Sequence, residues 1–217
     1  MTSWIALACI LQQTGGGAQS SGWKVLLKQD STAGWRSYRG KEIGKGWQIE
    51  NGELSIKDAA TAGDIVTEEQ FGWFELQLEF NLGKGQNSGV MFHVQETEGA
   101  PWQTGPEVQL YDHPVQDGVE TTGYLYQLYT APNLKPKPAG EWNRLRLVVR
   151  SKECTVEVNG VKGYSFSLDS DDFRARVAKS KFAQYANFAK ARRGHIALQG
   201  DHGAVKFRNI RIRELKD

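Results

Sequence analysis

A carboxylate, an amide and a phenol stand at alternate positions in GPEVQLYDHP: Glu107, Gln109 and Tyr111 alternate with Val108 and Leu110, and Asp112-His113 follows at once. Successive side chains of an extended strand point to opposite faces, so the three polar groups share one face and the two apolar ones the other. Such a row is either the wet side of a sheet or the floor of a site. Carboxyl and imidazole groups in that number can move protons. Glu107, Asp112 and His113 could instead hold a divalent cation, although their spacing matches no metal signature. Further polar groups recur at strand edges: Asn87 in NSG, His93 in MFHV, Tyr126 in TGYLY, Trp142 and Asn143 in EWN, Gln199 and His202 in LQGDHG, and Arg208 in FRNI.

Other chemistries lack their residues. GKGQNSG has the wrong glycine spacing for a phosphate loop, and a strand rather than a helix follows it. The chain has no H-E-x-x-H and no Gly-x-Ser-x-Gly elbow. Cys154 is in phase with Val156 and Val158 and reads as a small buried hydrophobe; no C-x-x-C pair supports a zinc site.

The elements that must position these groups are strands. WQIENGELSI places Trp47 and Ile49 before Asn51-Gly52 and Leu54 and Ile56 after it, a tight hairpin because Asn-Gly accepts positive φ. CTVEVNGVKG repeats the device at Asn159-Gly160. GWFELQLEFNL sets Phe74, Leu76, Leu78, Phe80 and Leu82 on one face; SGVMFHVQ sets Val90, Phe92 and Val94 inward; WNRLRLVVRS does the same with Leu145, Leu147 and Val149. In AVKFRNIRIREL the apolar phase flips, which predicts a bulge at Arg208-Asn209. Spacings of three and four from Phe173 to Ala189 predict a helical insertion near 169–193, with Ser180 capping a second short helix and Gly194 ending it. His195 then reads as a capping or surface residue, Asn209 and Gly203 as backbone-shaping, and Trp35 and Trp73 as packing. The prolines of TAPNLKPKPAG keep that connection out of a sheet interior, so it should cross an edge or a sheet mouth. About a dozen short strands without βαβ alternation predict an all-β chain of two antiparallel sheets packed face to face.

Size and composition agree. With 217 residues, 39% hydrophobic and 24% charged, the chain can bury a large core as a globular protein. A formal charge of +2, with Lys and Arg scattered among acids, supplies no basic face for nucleic acid. Seven tryptophans and an aromatic content of 11% offer ring faces for a core or for sugars. Residues 1–21 carry a short apolar run from Trp4 to Leu11, too short to span a membrane, that resembles the core of an export signal without its basic start. Ala6-Leu7-Ala8-Cys9 resembles an imperfect lipoprotein box, in which Cys9 would either carry a lipid anchor or be removed with the leader; the alternative is a frayed N-terminal tail. No later run is long enough for a transmembrane segment, and no repeat or linker divides residues 22–217.

In order and spacing, these blocks resemble the DUF1080 family, the 3-keto-disaccharide hydrolase domains. The resemblance begins with KVLL…GWRS and WQIENGELSI, continues through NSG, E-x-Q-x-x-D, TG-x-x-Y, EWN and VNG, and closes on LQGDHG…FRNI, from about Trp23 to Leu215. It implies a concanavalin A-like jelly-roll sandwich, an exported location in the periplasm or outside the cell, and action on glycosides oxidised at C3. His93 departs from the pattern, standing where many relatives carry arginine. The chemistry implied needs a base for the C2 proton, which a C3 ketone acidifies, a stabiliser for the enolate oxygen and an acid for the leaving group. Glu107 is the candidate base, and His113, His93 or His202 the proton donor. Asn87, Gln109, Asn143 and Gln199 suit sugar hydroxyls, Tyr126 and Trp142 offer ring faces, and Arg208 could stabilise an anionic oxygen or pair with Glu107. Two rivals stand beside this reading: a non-catalytic carbohydrate-binding module on the same sheet, and a conventional glycosidase with Asp112 as the second carboxylate.

Overall fold

The structure is a computed structural model that describes residues 22–97, 99–114 and 120–216. Among these lie thirteen strands: β1 (Lys24–Val25), β2 (Trp35–Ser37), β3 (Trp47–Glu50), β4 (Glu53–Ile56), β5 (Ile65–Thr67), β6 (Phe74–Leu82), β7 (Asn87–Val94), β8 (Glu107–Tyr111), β9 (Asn143–Val149), β10 (Cys154–Val158), β11 (Val161–Phe166), β12 (His195–Leu198) and β13 (Val205–Glu214). They form two antiparallel sheets. The larger runs β11-β10-β9-β6-β13-β4-β3, with β1 also on β13, and the smaller runs β2-β5-β12-β7-β8. This is the concanavalin A-like jelly-roll sandwich that the resemblance implies.

One core joins the sheets, because each contributes its apolar parity. Phe74, Leu76, Leu78 and Phe80 of β6, with Leu145, Leu147 and Val149 of β9, pack in one cluster with Val90 and Phe92 of β7, Val108 and Leu110 of β8, and Ile196 and Leu198 of β12. Both Asn-Gly hairpins form where the sequence places them, with Asn51 and Gly52 at φ 53° and 77° and Asn159 and Gly160 at 52° and 81°. The outer face of the larger sheet is a charged ladder in which Arg146 and Arg213 bond Glu75 and Arg208 bonds Glu79.

Two bulges adjust the parity. On β13 the register against β6 shifts between Arg208 and Arg211, and Asn209 takes a φ of 53°. Phe207, Ile210 and Ile212 thereby all reach the core, as the phase flip predicts. On β7, Val94 pairs with His195 and Met91 with Ala197, so Phe92 and His93 together face Ile196 alone. His93 absorbs the extra residue at φ 54°. The strand therefore turns over, and Val94, expected inward, packs instead with Met91, Val66 and Ala197 on the outer side of the smaller sheet.

The helical insertion is shorter than the spacing suggests. Its α-helix spans Asp171–Lys179, and a 3-10 turn over Lys181–Gln184 starts where Ser180 accepts a hydrogen bond from the Phe182 N–H, the expected cap. Gly194 does not end a helix. It exchanges backbone hydrogen bonds with Phe71 at 2.8 and 3.1 Å, and a Cβ there would lie 2.4 Å from the His93 carbonyl carbon. Close approach, not capping, requires the glycine.

The proline-rich connection lies across the end of β6, where the Gly140 N–H donates to the Leu82 carbonyl at 2.9 Å. Asn143 holds it there: its Oδ1 accepts from the Lys137 N–H at 2.7 Å and from Asn159 Nδ2 at 2.8 Å, with only 3% of the residue exposed. Asn143 is thus spent on the fold, and no hydrogen-bonding capacity is left over for a sugar hydroxyl from Oδ1. Replacing Asn143 with alanine leaves a buried N–H without its acceptor and should cost about 1–3 kcal/mol. The expected outcome is a lower urea midpoint with an unchanged m-value.

Candidate functional site

Val108 and Leu110 anchor β8 in the core and so force Glu107 and Gln109 onto the outer face of the smaller sheet. β8 is the last strand of its sheet, yet its open edge is covered. The Gln109 N–H donates to the Tyr124 carbonyl at 2.9 Å, the Gly123 N–H to the Gln109 carbonyl at 2.8 Å and the Tyr126 N–H to the Glu107 carbonyl at 2.9 Å. Segment 123–126 therefore stands beside the carboxylate and brings the Tyr126 ring with it.

Glu107 pairs across the ladder with Met91, and its side chain leans over Gly89, the next outward position of β7. A Cβ on Gly89 would lie 2.0 Å from Glu107 Oε1. The glycine of NSG is therefore the space in which the carboxyl sits. Asn87, Trp102, Glu107, Gln109, Tyr126, Lys181, Gln199 and His202 line one hollow of about 240 Å³ around it. Gln109 Nε2 donates to Asn87 Oδ1 at 3.0 Å. Gln199 Oε1 is buried with no hydrogen-bond partner among the described residues. The Lys181 ammonium lies 4.3 Å from the centroids of both the Trp102 and the Tyr126 rings, a cation held between two π faces. His202 is half exposed at the rim and pairs with Asp201.

Burial pushes the Glu107 carboxyl up to about 8; the Lys181 charge opposes this, and Asp64, Asp201 and Glu120 reinforce it. The causes are burial and charge, with no hydrogen bond to the carboxyl among them. Asp64 is also raised, to about 6, by burial first, against a hydrogen bond from the Gly200 N–H.

Of the sequence-predicted residues, Glu107, Asn87, Gln109, Tyr126, Gln199 and His202 thus come together. The others lie elsewhere. Asp112 and His113 sit beyond the far end of β8, and five residues of extended chain place Asp112 roughly 16 Å along from Glu107. There Asp112 accepts from the Gly85 N–H at 2.8 Å, and both line a different hollow under the proline-rich connection. They cannot join Glu107 around a cation, and no cluster of three or more His, Cys, Asp and Glu suited to a metal occurs among the described residues. His93, turned inward by its bulge, bonds the Gly72 carbonyl at 2.8 Å, and burial lowers its pKa to about 4. Arg208 bonds Glu79 on the outer face of the larger sheet, with its guanidinium 3.9 Å from the Trp142 ring, so both are on the opposite side of the sandwich from Glu107. His195 is buried, not a cap or surface group, with Nδ1 2.6 Å from the Thr67 carbonyl. Burial likewise pushes the Cys154 thiol up to about 11, in keeping with a packing role.

Trp102 and Lys181 carry no signal of period or motif in the sequence. Trp102 stands in a 3-10 turn, and Lys181 follows Ser180 in the helical insertion, where lysine reads as a solvated face.

Residues 22–213 match the 3-keto-alpha-glucoside-1,2-lyase-like domain. The chain belongs to this family. It is 26% identical over 231 residues, 90% of this chain and 79% of the relative, to a 3-keto-disaccharide hydrolase of Bacteroides thetaiotaomicron. Two crystal structures of candidate glycosyl hydrolases from Parabacteroides distasonis share the family's fold with it. The first has a TM-score of 0.82 at 29% identity, covering 90% of this chain and 95% of that one. The second has a TM-score of 0.71 at 25% identity, covering 89% and 99%. No helix among the described residues is long and apolar enough to cross a membrane, and Cys9 lies outside them.

The raised carboxyl has a consequence for stability. A folded-state pKa near 8 against an ordinary 4.5 means that folding favours the protonated acid. Its contribution is whole below about pH 4.5 and is lost as pH rises, completely once past about 8. Glu107→Gln removes the titration. The variant should therefore gain on the parent across that window, by roughly 4–5 kcal/mol at pH 8.5, in urea unfolding followed against pH.

Proposed function

We propose that the hollow cleaves 3-keto-glycosides by removing the proton at C2. The observation that carries this reading is a single deeply buried carboxyl facing a caged ammonium, with no second acid lining the hollow. A conventional glycosidase needs two carboxyl groups about 5–10 Å apart facing the scissile bond; Asp112 is too far along the strand to serve, and Asp64, Asp201 and Glu120, whose charges reach Glu107, do not line the hollow. A ketone at C3 needs only one base. Membership of the 3-keto-alpha-glucoside-1,2-lyase-like family and the name of the Bacteroides relative support the same substrate class.

The residues divide the work by position. Glu107, in its ionised form, takes the C2 proton; with a pKa near 8 it is a stronger base than an ordinary carboxylate, and roughly a tenth of it is ionised at pH 7. The electron pair of the C2–H bond moves into the ring to leave an enolate on the C3 oxygen, where the Lys181 ammonium stabilises the charge. The enolate then expels the C1 oxygen, which takes a proton from His202 at the rim and departs as the aglycone alcohol. Water adding across the resulting C1–C2 double bond completes a hydrolysis; release before that step is a lyase reaction. Gln109, Asn87 and Gln199 offer hydrogen bonds to ring hydroxyls, and Trp102 and Tyr126 wall the sugar while confining the lysine. An exported location, suggested by residues 1–21, belongs to the same proposal.

The test is to incubate the protein separately with a 3-keto-glucoside and with its unoxidised parent, with and without a chelator. Cleavage of the keto compound alone is expected, and cleavage of the parent instead would transfer the activity to another mechanism. Inertness toward both, with retained sugar binding, would leave a binding module. Glu107→Gln should lower kcat by about 10²–10⁴ with KM within a few-fold. For the parent protein, exchange of the C2 proton of a bound 3-keto-glucoside with solvent, which needs the base and not the His202 donor, should speed up with pH and level off above about 8, because the base must lose its proton first. Gly89→Ala, whose Cβ would meet Oε1 at 2.0 Å, should displace the carboxyl and lower kcat at least about tenfold while circular dichroism stays unchanged.

A further inference from the structure

A lysine reaches a fixed point only if its backbone is fixed and its four rotatable bonds are confined, and in this hollow the rings confine only the tip. The backbone of Lys181 is tied separately. Its N–H, at the start of the 3-10 turn, donates to Gln127 Oε1 at 3.3 Å. Gln127 in turn occupies the left-handed region at φ 58°, a conformation that a long side chain adopts only when its surroundings enforce it. The enforcing contact is Glu120: its Oε1 accepts from the Gln127 N–H at 3.0 Å. The residue just before, Tyr126, bonds the Glu107 carbonyl and lays its ring on the Lys181 ammonium. Residues 126 and 127 thus connect the strand of the base, the aromatic wall and the turn that carries the cation.

We propose that Gln127 is a positioning residue for this reaction: locked left-handed by Glu120, it holds the Lys181 turn so that the ammonium faces Glu107 between Trp102 and Tyr126. The inference rests on the reading of Lys181 as the group that takes up the enolate charge. It explains why a left-handed position carries glutamine where glycine or asparagine would relax more readily. Glycine has no side-chain amide, and the asparagine amide is one methylene shorter than the reach to the Lys181 N–H requires.

Two variants test this. Gln127→Gly accepts the φ and deletes the acceptor; Gln127→Asn tolerates the φ and withdraws the acceptor by one bond. The readout independent of turnover is the ε-methylene resonance of Lys181 in protein labelled with ¹³C-lysine, assigned by its disappearance in Lys181→Ala. Rings on two sides should shift that resonance upfield of the other lysines. In both variants it should move back toward them, and kcat on a 3-keto-glucoside should fall at least about tenfold with KM within about threefold. The unfolding midpoint of Gln127→Gly should hold or rise, since the strain is relieved. If that midpoint falls, the asparagine variant decides on the same two criteria. Retention of the upfield resonance and the parent kcat in both variants would overturn the proposal. A parent protein inert toward the 3-keto-glucoside, whose variants still lose the resonance, would sink the proposed reaction and leave the positioning of Lys181 standing.

Discussion

The site depends on the two-residue period of one strand. Val108 and Leu110 are completely buried between the sheets, and their burial leaves Glu107 no choice of face. A one-residue slip would place the carboxylate in the core and two aliphatic groups in the hollow, so register and function are fixed by the same apolar contacts. Gly89, on the neighbouring strand, then makes the outer face habitable for a carboxyl. The result is an acid out of water yet open to a hollow, and desolvation of that acid outweighs the nearby lysine in setting its proton affinity.

Lys181 and Glu107 form an asymmetric pair. An ammonium in contact with the carboxylate would hold it ionised and weaken it as a base. Here the cation is retained by π faces at 4.3 Å, so it contributes a field without a direct ion pair. The aromatic walls that close the hollow are therefore also the restraint that keeps opposite charges from collapsing together.

Much of this was legible in the residue order because hairpins, alternating strands and the β13 bulge are local. Asn51-Gly52 and Asn159-Gly160 need positive φ wherever they occur, and the phase flip from Phe207 to Ile210 requires one extra residue. The β7 bulge was not legible: SGVMFHVQ keeps its apolar alternation straight through, and only pairing with β12 reveals that Phe92 and His93 share one partner. The polar blocks misled in the same way. NSG, EVQ, TGYLY and LQGDHG lie around the smaller sheet, whereas EWN and FRNI belong to the larger one, and nothing local says which sheet a strand joins. Hence Glu107, Gln109, Asn87, Tyr126, Gln199 and His202 converge, while Arg208, Trp142 and Asn143 serve a salt ladder and a loop clamp. Lys181 reaches the hollow from a turn that begins seventy residues beyond the end of β8, a distance that no motif spans.

The segment laid along the outer edge of β8 has one more consequence. Terminal strands offer unpaired amides and carbonyls to other chains, and proteins must hide them. Here the backbone groups that would otherwise recruit a neighbour are taken by residues 123–126, which also form a wall of the hollow. The shape of the hollow and resistance to aggregation are therefore guarded by one set of hydrogen bonds, and a lesion that peels this segment away would open the hollow and create a sticky protein in the same event.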